Sequence, residues 1–125
     1  MTPTRIRVLV VDDNPTNLRL AEFVLRQAGF DVRIAHSARE ARLTLADFHP
    51  KVVLMDLQLP EVDGFMLTRQ LRTDPATSHL CIIAMTAYAM SGDADRAREA
   101  GCDGYAAKPV SPMDMISIVQ RYAAR

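Results

Sequence analysis

Five side chains that can bind a divalent metal ion or a phosphoryl group directly follow short apolar runs of this 125-residue chain. Three of them are carboxylates, one is a hydroxyl and one is an ammonium group. Carboxylate oxygens are preferred ligands of hard divalent cations, and an ammonium group can bind phosphoryl oxygens. The runs are residues 8–11 before Asp12 and Asp13, 52–55 before Asp56, 82–85 before Thr86 and 105–107 before Lys108.

The composition of these runs predicts how the five side chains are positioned. The runs are short, largely β-branched and not alternating, which is typical of strands buried on both faces of a parallel sheet. In an open sheet of this kind, ligands bind outside the carboxyl ends of the strands. The sequence therefore predicts that all five side chains meet in one crevice.

A further short run over residues 32–35 predicts a fifth strand. Segments with helical periodicity alternate with the five strands, so the order is βα repeated five times. This order predicts an α/β fold with a doubly wound, five-stranded parallel sheet. Helices are predicted from Pro15 to Gly29, from Ser37 to His49, from about Phe65 to Asp74, over about residues 91–100 and from Ser111 onward. Their predicted core positions are Leu18, Ala21, Leu25 and Ala28; Ala38, Ala41, Leu45 and Phe48; Leu67 and Leu71; and Met115, Ile116, Val119 and Tyr122.

The fourth predicted helix differs from the others in what it can bury. Met90, Ala94 and Ala97 are nearly all that it offers to the core. We therefore expect it to be weakly anchored.

The bulk composition limits the class of protein. Lys and Arg together number 15, as do Asp and Glu, so the chain lacks the basic excess of a general nucleic-acid binder. The apolar runs are too short to cross a bilayer, and the first residues do not resemble a signal peptide, so we expect a cytoplasmic protein. Cys81 and Cys102 lack metal-ligand spacing. We expect residues 1–125 to form a single domain.

The carboxylates have a simpler explanation when each is considered alone. One member of an isolated Asp12-Asp13 pair often only caps the following helix. Asp56 changes this interpretation, because an acid that ends a buried strand has no evident structural role. Three carboxylates at one edge require a cation, which a metal ion and Lys108 can supply.

The chemistry open to such a site is narrow. Asp56 can attack phosphorus to give an acyl phosphate, with Mg²⁺ and Lys108 neutralising the developing charge. The alternative is a Mg²⁺-dependent phosphohydrolase that turns over small phosphate esters with Asp56 as nucleophile. That class needs an acid two residues beyond the nucleophile, where this chain has Gln58. A nucleotide-binding fingerprint is also absent from the sequence.

Over nearly its whole length, the chain resembles the receiver domain of two-component response regulators. The resemblance implies a flavodoxin-like (βα)5 fold with strand order 2-1-3-4-5. It also implies phosphorelay signalling by a phosphoprotein that is not an enzyme in the ordinary sense. The matching stretches are residues 10–14, 54–60, Asp63-Gly64, 85–87, Ala100-Gly101, Tyr105 and Lys108-Pro109.

The resemblance also assigns roles to individual residues. Mg²⁺, or Mn²⁺ in its place, would be held by Asp13 directly, by Asp12 mainly through water, by the phosphoacceptor Asp56 and by the backbone carbonyl of Gln58. The phosphoryl oxygens would be bound by Thr86 and Lys108. Thr86 and Tyr105 would act as switch residues, and the Lys108-Pro109 peptide bond would be cis.

The implied partners are proteins. A histidine kinase or a histidine phosphotransfer protein would donate the phosphoryl group. A phosphorylation-dependent effector would recognise the fourth helix, the fifth strand and the fifth helix. We expect no nucleic-acid or membrane partner, no output domain in these residues, and a monomer or weak dimer. Residues 86–93 resemble both stand-alone regulators of cell polarity and division and receivers fused to hybrid histidine kinases.

Overall fold

The computed structural model describes residues 5–59, 62–86, 92–108 and 110–124, without the side chain of Asp93. Within these ranges strands and helices alternate along the chain, as predicted. The strands are β1 (Arg7–Val11), β2 (Asp31–Ala35), β3 (Val52–Asp56), β4 (Cys81–Thr86) and β5 (Gly104–Ala107). The helices are α1 (Pro15–Gln27), α2 (Ala38–Phe48), α3 (Gly64–Thr73), α4 (Asp93–Ala100) and α5 (Pro112–Ala123).

The five strands form one parallel sheet in the order β2-β1-β3-β4-β5, which confirms the predicted fold. β1 lies between β2 and β3, and Val8 pairs with Val32 on one side and with Val52 on the other. Every residue of β3 is buried. The unalternating apolar character of the runs therefore has the expected cause, which is burial of the sheet on both faces.

Two apolar clusters cover the two faces of the sheet. On one face, alternate strand residues pack against α1 and α5; on the other face, the intervening residues pack against α2, α3 and α4. The first cluster includes Val8, Val10, Leu18, Leu25, Leu54, Ile83 and Val119, and the second includes Leu9, Val11, Ala41, Met55, Leu67, Ile82 and Ala97.

Most of the predicted helix faces are confirmed, with two local corrections. In α1, Leu18, Ala21 and Leu25 are buried, but Ala28 is exposed because it lies beyond the helix as its C-cap, and Val24 is buried instead. In α5, Met115 and Val119 are buried, while Ile116 and Tyr122 are partly buried against the same cluster. α3 begins at Gly64, one residue before the predicted start.

The α4 prediction was wrong in detail. The helix begins at Asp93, after Gly92 with φ 91°, and Met90 and Ser91 lie outside the described residues. Ala94 is exposed rather than buried, and the two buried residues in the described part of α4 are Ala97 and Ala100.

In the described part of the chain, no helix has the length and apolar character needed to cross a bilayer.

Candidate functional site

Parallel pairing of β1 with β3 brings the first two carboxylates together. Val11 pairs with Met55, so the residues that follow them, Asp12 and Asp56, lie side by side at the carboxyl edge of the sheet. Both are buried, with 2% and 4% of their surfaces exposed. Two acids are therefore enclosed next to each other, as the sequence predicted.

The two buried carboxylates have matching hydrogen bonds. One oxygen of each accepts a backbone N–H two residues further along the chain: Asn14 N donates to Asp12 Oδ1 and Gln58 N to Asp56 Oδ1, both at 2.9 Å. This local turn is common for aspartate, and it fixes each carboxylate relative to its own strand end. The Oδ2 atoms remain for other partners.

Lys108 joins the two acids through those Oδ2 atoms. Its Nζ atom lies 2.6 Å from Asp12 Oδ2 and 3.0 Å from Asp56 Oδ2. The lysine follows β5, and its backbone N–H donates to the Thr86 carbonyl at 2.7 Å, which ties it to the end of β4. The side chain therefore reaches across from the sheet edge to compensate both buried charges.

The enclosure changes the acid–base properties of the site. Burial raises the pKa of Asp56, because it disfavours the charged carboxylate, and the hydrogen bonds from Gln58 and Lys108 only partly offset this effect. Burial lowers the pKa of Lys108, but the hydrogen bonds and charges of Asp12 and Asp56 outweigh burial and raise it overall. Lys108 therefore keeps its positive charge, and it lies beside an acid whose charged form is disfavoured by burial.

Asp13 completes a cluster suited to a metal ion. It is exposed, and one carboxylate oxygen each from Asp12, Asp13 and Asp56 lies within 4.8 Å of the others. A Mg²⁺ ion holds its oxygen ligands at about 2.0–2.1 Å, so such ligands lie up to about 4 Å apart. The three acids therefore fit a hard divalent cation in donor type and charge, and nearly fit in spacing.

The predicted switch residues lie on neighbouring strands. Thr86 is buried at the end of β4, and Tyr105 in β5 pairs with Ala84, two residues before Thr86. Tyr105 is partly buried and packs against the cluster beneath α4. It also lines a small cavity of about 190 Å³ together with Ala97 and Cys102. Tyr105 therefore lies on the strand next to Thr86, offset from it by two residues.

The loop after Asp56 is held by a close backbone approach. Gly64 N donates to the Leu57 carbonyl at 2.9 Å, and a Cβ atom on Gly64 would lie 2.6 Å from the Asp56 carbonyl oxygen. Only glycine fits this position. Pro109, and with it the predicted cis peptide bond after Lys108, lies outside the described residues.

An apolar groove opens beside the charged cluster. It has a volume of about 460 Å³ and lies between α1 and α5. Lys108 and Asp12 contribute charged groups to its lining, and Leu20, Val110 and Met115 contribute apolar ones. Large apolar side chains are exposed nearby in sequence, with Leu20 53%, Phe23 63% and Met113 80% exposed.

The sequence analysis missed one polar cluster, formed by Arg72 and Asp103. Their side chains form an ion pair at 2.7 Å, which joins the end of α3 to the α4–β5 turn. No spacing signal distinguishes Arg72 from the other surface arginines, because its partners at the turn, Gly101 and Asp103, are 29 and 31 residues away.

Comparison with known proteins agrees with the geometry. The sequence profile of the response regulator receiver domain matches residues 8–120. The chain is 37% identical over 115 residues to the polar-differentiation response regulator DivK of Brucella ovis, covering 92% of this chain and 94% of that protein.

Solved structures have the same fold. A protein from Chloroflexus aurantiacus J-10-fl described as a response regulator superposes with a TM-score of 0.91 at 34% identity, covering 98% of this chain and 100% of that chain. The signal receiver domain of a signal transduction histidine kinase from Syntrophus aciditrophicus superposes with a TM-score of 0.85 at 28% identity, covering 94% and 89%. These matches confirm the resemblance drawn from the motifs, and the chain belongs to the family of response regulator receiver domains.

Proposed function

We propose that Asp56 accepts a phosphoryl group and that the resulting acyl phosphate switches the surface of the domain for a protein partner. The observation that carries this proposal is the position of Lys108 Nζ, which contacts the buried carboxylates of Asp12 and Asp56 at 2.6 and 3.0 Å. A cation held between two strand-end acids is well placed to bind a phosphoryl oxygen attached to one of them.

The transfer step conserves atoms and charge. A carboxylate oxygen of Asp56 forms a bond to phosphorus, while the bond from phosphorus to the donor nitrogen of a phosphohistidine breaks and its electron pair stays on the imidazole. The product is a mixed anhydride on Asp56. Lys108 offsets the added negative charge, and Thr86 offers its hydroxyl to a second phosphoryl oxygen.

We assign the metal ligands to Asp13, Asp12, Asp56 and the backbone carbonyl of Gln58. The clustering of the three carboxylates supports this assignment. Bound Mg²⁺, or Mn²⁺, would supply positive charge that attracts the donor phosphoryl group and offsets repulsion from the acids.

The residue at position 58 distinguishes the two candidate functions. Hydrolysis by a phosphatase of the alternative type needs an acid there to protonate a leaving group, and the exposed amide of Gln58 cannot do so. The chain therefore lacks the acid that hydrolysis of phosphate esters needs, which favours a signalling module over a phosphohydrolase.

The readout surface in this proposal is the face formed by α4, β5 and α5. Thr86 can follow the new phosphoryl oxygens, and Tyr105 can then change how it packs beneath α4. Support comes from the small buried area of α4, where Ala97 and Ala100 supply the buried side chains in the described residues. An effector responds only if its affinity differs between the two arrangements.

The donor would dock on the opposite side, over α1 and the start of α5. A histidine kinase or a histidine phosphotransfer protein must bring its phosphohistidine to the edge that holds Asp56. The lining of the apolar groove includes Lys108 and Asp12, and Leu20 and Phe23 are exposed apolar residues of α1. This surface suits an apolar helical partner. The donor surface therefore shares only α5 with the effector surface.

Phosphorylation with acetyl phosphate tests the proposal. Intact-mass analysis should show one phosphoryl adduct on the wild type in the presence of Mg²⁺, and no adduct when EDTA replaces Mg²⁺. Asp56→Asn should abolish the adduct, whereas Asp47→Asn, which removes an exposed acid on α2, should leave it unchanged. An undiminished adduct on Asp56→Asn would refute the assignment, and rapid loss of the wild-type adduct would favour the phosphohydrolase.

A further inference from the structure

One arginine connects three segments around the C-terminal end of α4. The guanidinium group of Arg72, near the end of α3, donates from Nε to the Gly101 carbonyl at 2.8 Å and from Nη2 to Asp103 Oδ2 at 2.7 Å. Its Nη1 atom donates to the carbonyls of Ser78 at 2.9 Å and Leu80 at 2.5 Å. A single side chain thus holds the α3–β4 loop and the α4–β5 turn together.

Asp103 extends this network into the sheet. The same Oδ2 atom accepts the backbone N–H of Ile82 at 2.9 Å, and the Asp103 N–H donates to the Ile82 carbonyl at 2.7 Å. Both side chains of the ion pair are partly enclosed, with 21% of the Arg72 side chain and 28% of the Asp103 side chain exposed. Enclosed, charge-assisted hydrogen bonds of this kind are stronger than exposed ion pairs.

The backbone of α4 is adapted to this contact where the helix ends. Gly101 adopts φ 111°, and a Cβ atom there would lie 2.8 Å from Arg72 Cγ. Glycine is therefore required both by the left-handed backbone and by the packed arginine. Cys102 N donates to the Ala97 carbonyl at 2.9 Å, which closes the last turn.

Among the described residues, fewer contacts are seen at the other end of α4. Its N-cap is Gly92, which provides no side-chain cap, and Ala94 and Asp95 are exposed. The guanidinium carbon of Arg96 lies 4.7 Å from the centroid of the Phe65 ring, which contributes a weak cation–π contact to α3. This end follows β4 in the chain and is therefore the end nearer to Thr86 in sequence.

We propose that the Arg72–Asp103 pair anchors the C-terminal end of α4 as a fixed pivot, so that phosphorylation swings the N-terminal end of the helix and does not displace the helix as a whole. This inference rests on the proposed function, because it describes how the α4 surface responds to Asp56. The Arg96–Phe65 contact breaks or slides during the swing, while the hydrogen bonds of Arg72 persist. A partner would then detect the change over residues 94–96 and not over residues 101–103.

Hydrogen exchange of the unphosphorylated protein tests the anchor alone. The amides of Cys102 and Asp103 should exchange slowly in the wild type. Arg72→Lys keeps the positive charge but cannot make all four hydrogen bonds, and it should speed their exchange at least about tenfold, consistent with losing a charge-assisted hydrogen bond. Arg69→Lys, on an exposed position of the same helix, is the matched control and should change nothing. Unchanged exchange in Arg72→Lys would overturn the anchor.

Amide chemical shifts on addition of beryllofluoride with Mg²⁺ test the pivot. In the wild type, shift changes should be several-fold larger at residues 94–96 than at residues 101–103. In Arg72→Lys and in Asp103→Asn, the changes should spread to residues 101–103. Equal changes at both ends of the wild-type helix would overturn the pivot. The absence of any induced shift would count against the proposed function, and the exchange measurement would then decide the anchor by itself.

Discussion

The helices α1 and α4 occupy opposite faces of the same sheet but are held very differently. α1 spans 13 residues and buries Leu18, Ala21, Val24 and Leu25, and its N-cap Asn14 accepts two backbone N–H groups through its side chain. α4 spans eight residues, has a glycine N-cap without a side-chain hydrogen bond, and buries two alanines among its described side chains.

The energetic difference follows from the buried side chains. A fully buried leucine or valine contributes about 1.5–3 kcal/mol, whereas a single methyl group contributes closer to 0.8 kcal/mol. α1 is therefore fixed by several kcal/mol of apolar burial, and α4 by much less. This difference agrees with the proposed roles, in which α1 is a constant docking surface for a phosphoryl donor and α4 is a surface that rearranges.

The largest expected contrast is in global stability. Leu18 is fully buried, so Leu18→Ala should lower the free energy of unfolding by about 2–5 kcal/mol. Ala97→Gly, at a buried α4 position, should lower it by only about 1–2 kcal/mol, from lost helix propensity and one buried methyl group. Urea denaturation monitored by circular dichroism measures both changes.

Ala94→Gly is the matched control for the α4 substitution, because Ala94 is exposed in the same helix. It should cost only the propensity difference, about 1 kcal/mol or less. If Ala97→Gly destabilised the domain as strongly as Leu18→Ala, α4 would be as firmly anchored as α1, and the contrast between the two helices would be wrong.

A smaller contrast is expected in phosphotransfer. Phe23 is 63% exposed on α1, so Phe23→Ala should leave the fold intact but remove the apolar contact that we propose with the donor. The rate of transfer from a phosphorylated histidine phosphotransfer protein, measured below saturation, should fall about tenfold, as for loss of a contact worth about 1.4 kcal/mol. Phosphorylation by acetyl phosphate should not change, because that donor needs no docking surface.

Two variants serve as controls for this experiment. Leu43→Ala removes a side chain of similar exposure, 64%, from α2, and Arg96→Ala alters α4; neither should slow transfer from the protein donor. A loss of transfer in Arg96→Ala equal to that in Phe23→Ala would mean that the donor also contacts α4.

How much of this arrangement the sequence predicted depends on the range of the interactions. The candidate site was predictable because each of its residues lies at the end of its own strand or just after it, and parallel strands end at one edge. Asp12, Asp56 and Lys108 meet for that reason alone.

The errors in the predicted buried face of α4 arise because that face is not marked by any local feature of the sequence. Ala94, Ala97 and Ala100 are spaced three residues apart, so periodicity cannot tell which two face the sheet; the direction in which α4 crosses the sheet decides. The role of Arg72 likewise depends on where the end of α3 meets the α4–β5 turn. These features are set by tertiary packing and leave no local pattern in the chain.

The smallest expected effect concerns charge at the edge where α1 begins. There the buried Asp56 is only partly compensated, whereas the α4–β5 turn holds Asp103 in a close ion pair with Arg72. Because burial raises the pKa of Asp56 above its ordinary 3.8, the folded protein binds more protons than the unfolded chain between 3.8 and the raised pKa. In that interval the stability contributed by Asp56 decreases as the pH rises, and above it the loss is complete.

Asp56→Asn removes this titration. In EDTA, its free energy of unfolding should therefore match that of the wild type below pH 3.8 and exceed it at neutral pH. Lys108 offsets much of the cost of the buried charge, which keeps the gain small. Urea titrations of both proteins over this pH range measure the difference, with Asp47→Asn as the exposed-acid control. A neutral-pH stability of Asp56→Asn below that of the wild type would show that Lys108 overcompensates the buried carboxylate, and the charged edge beside α1 would then stabilise the domain.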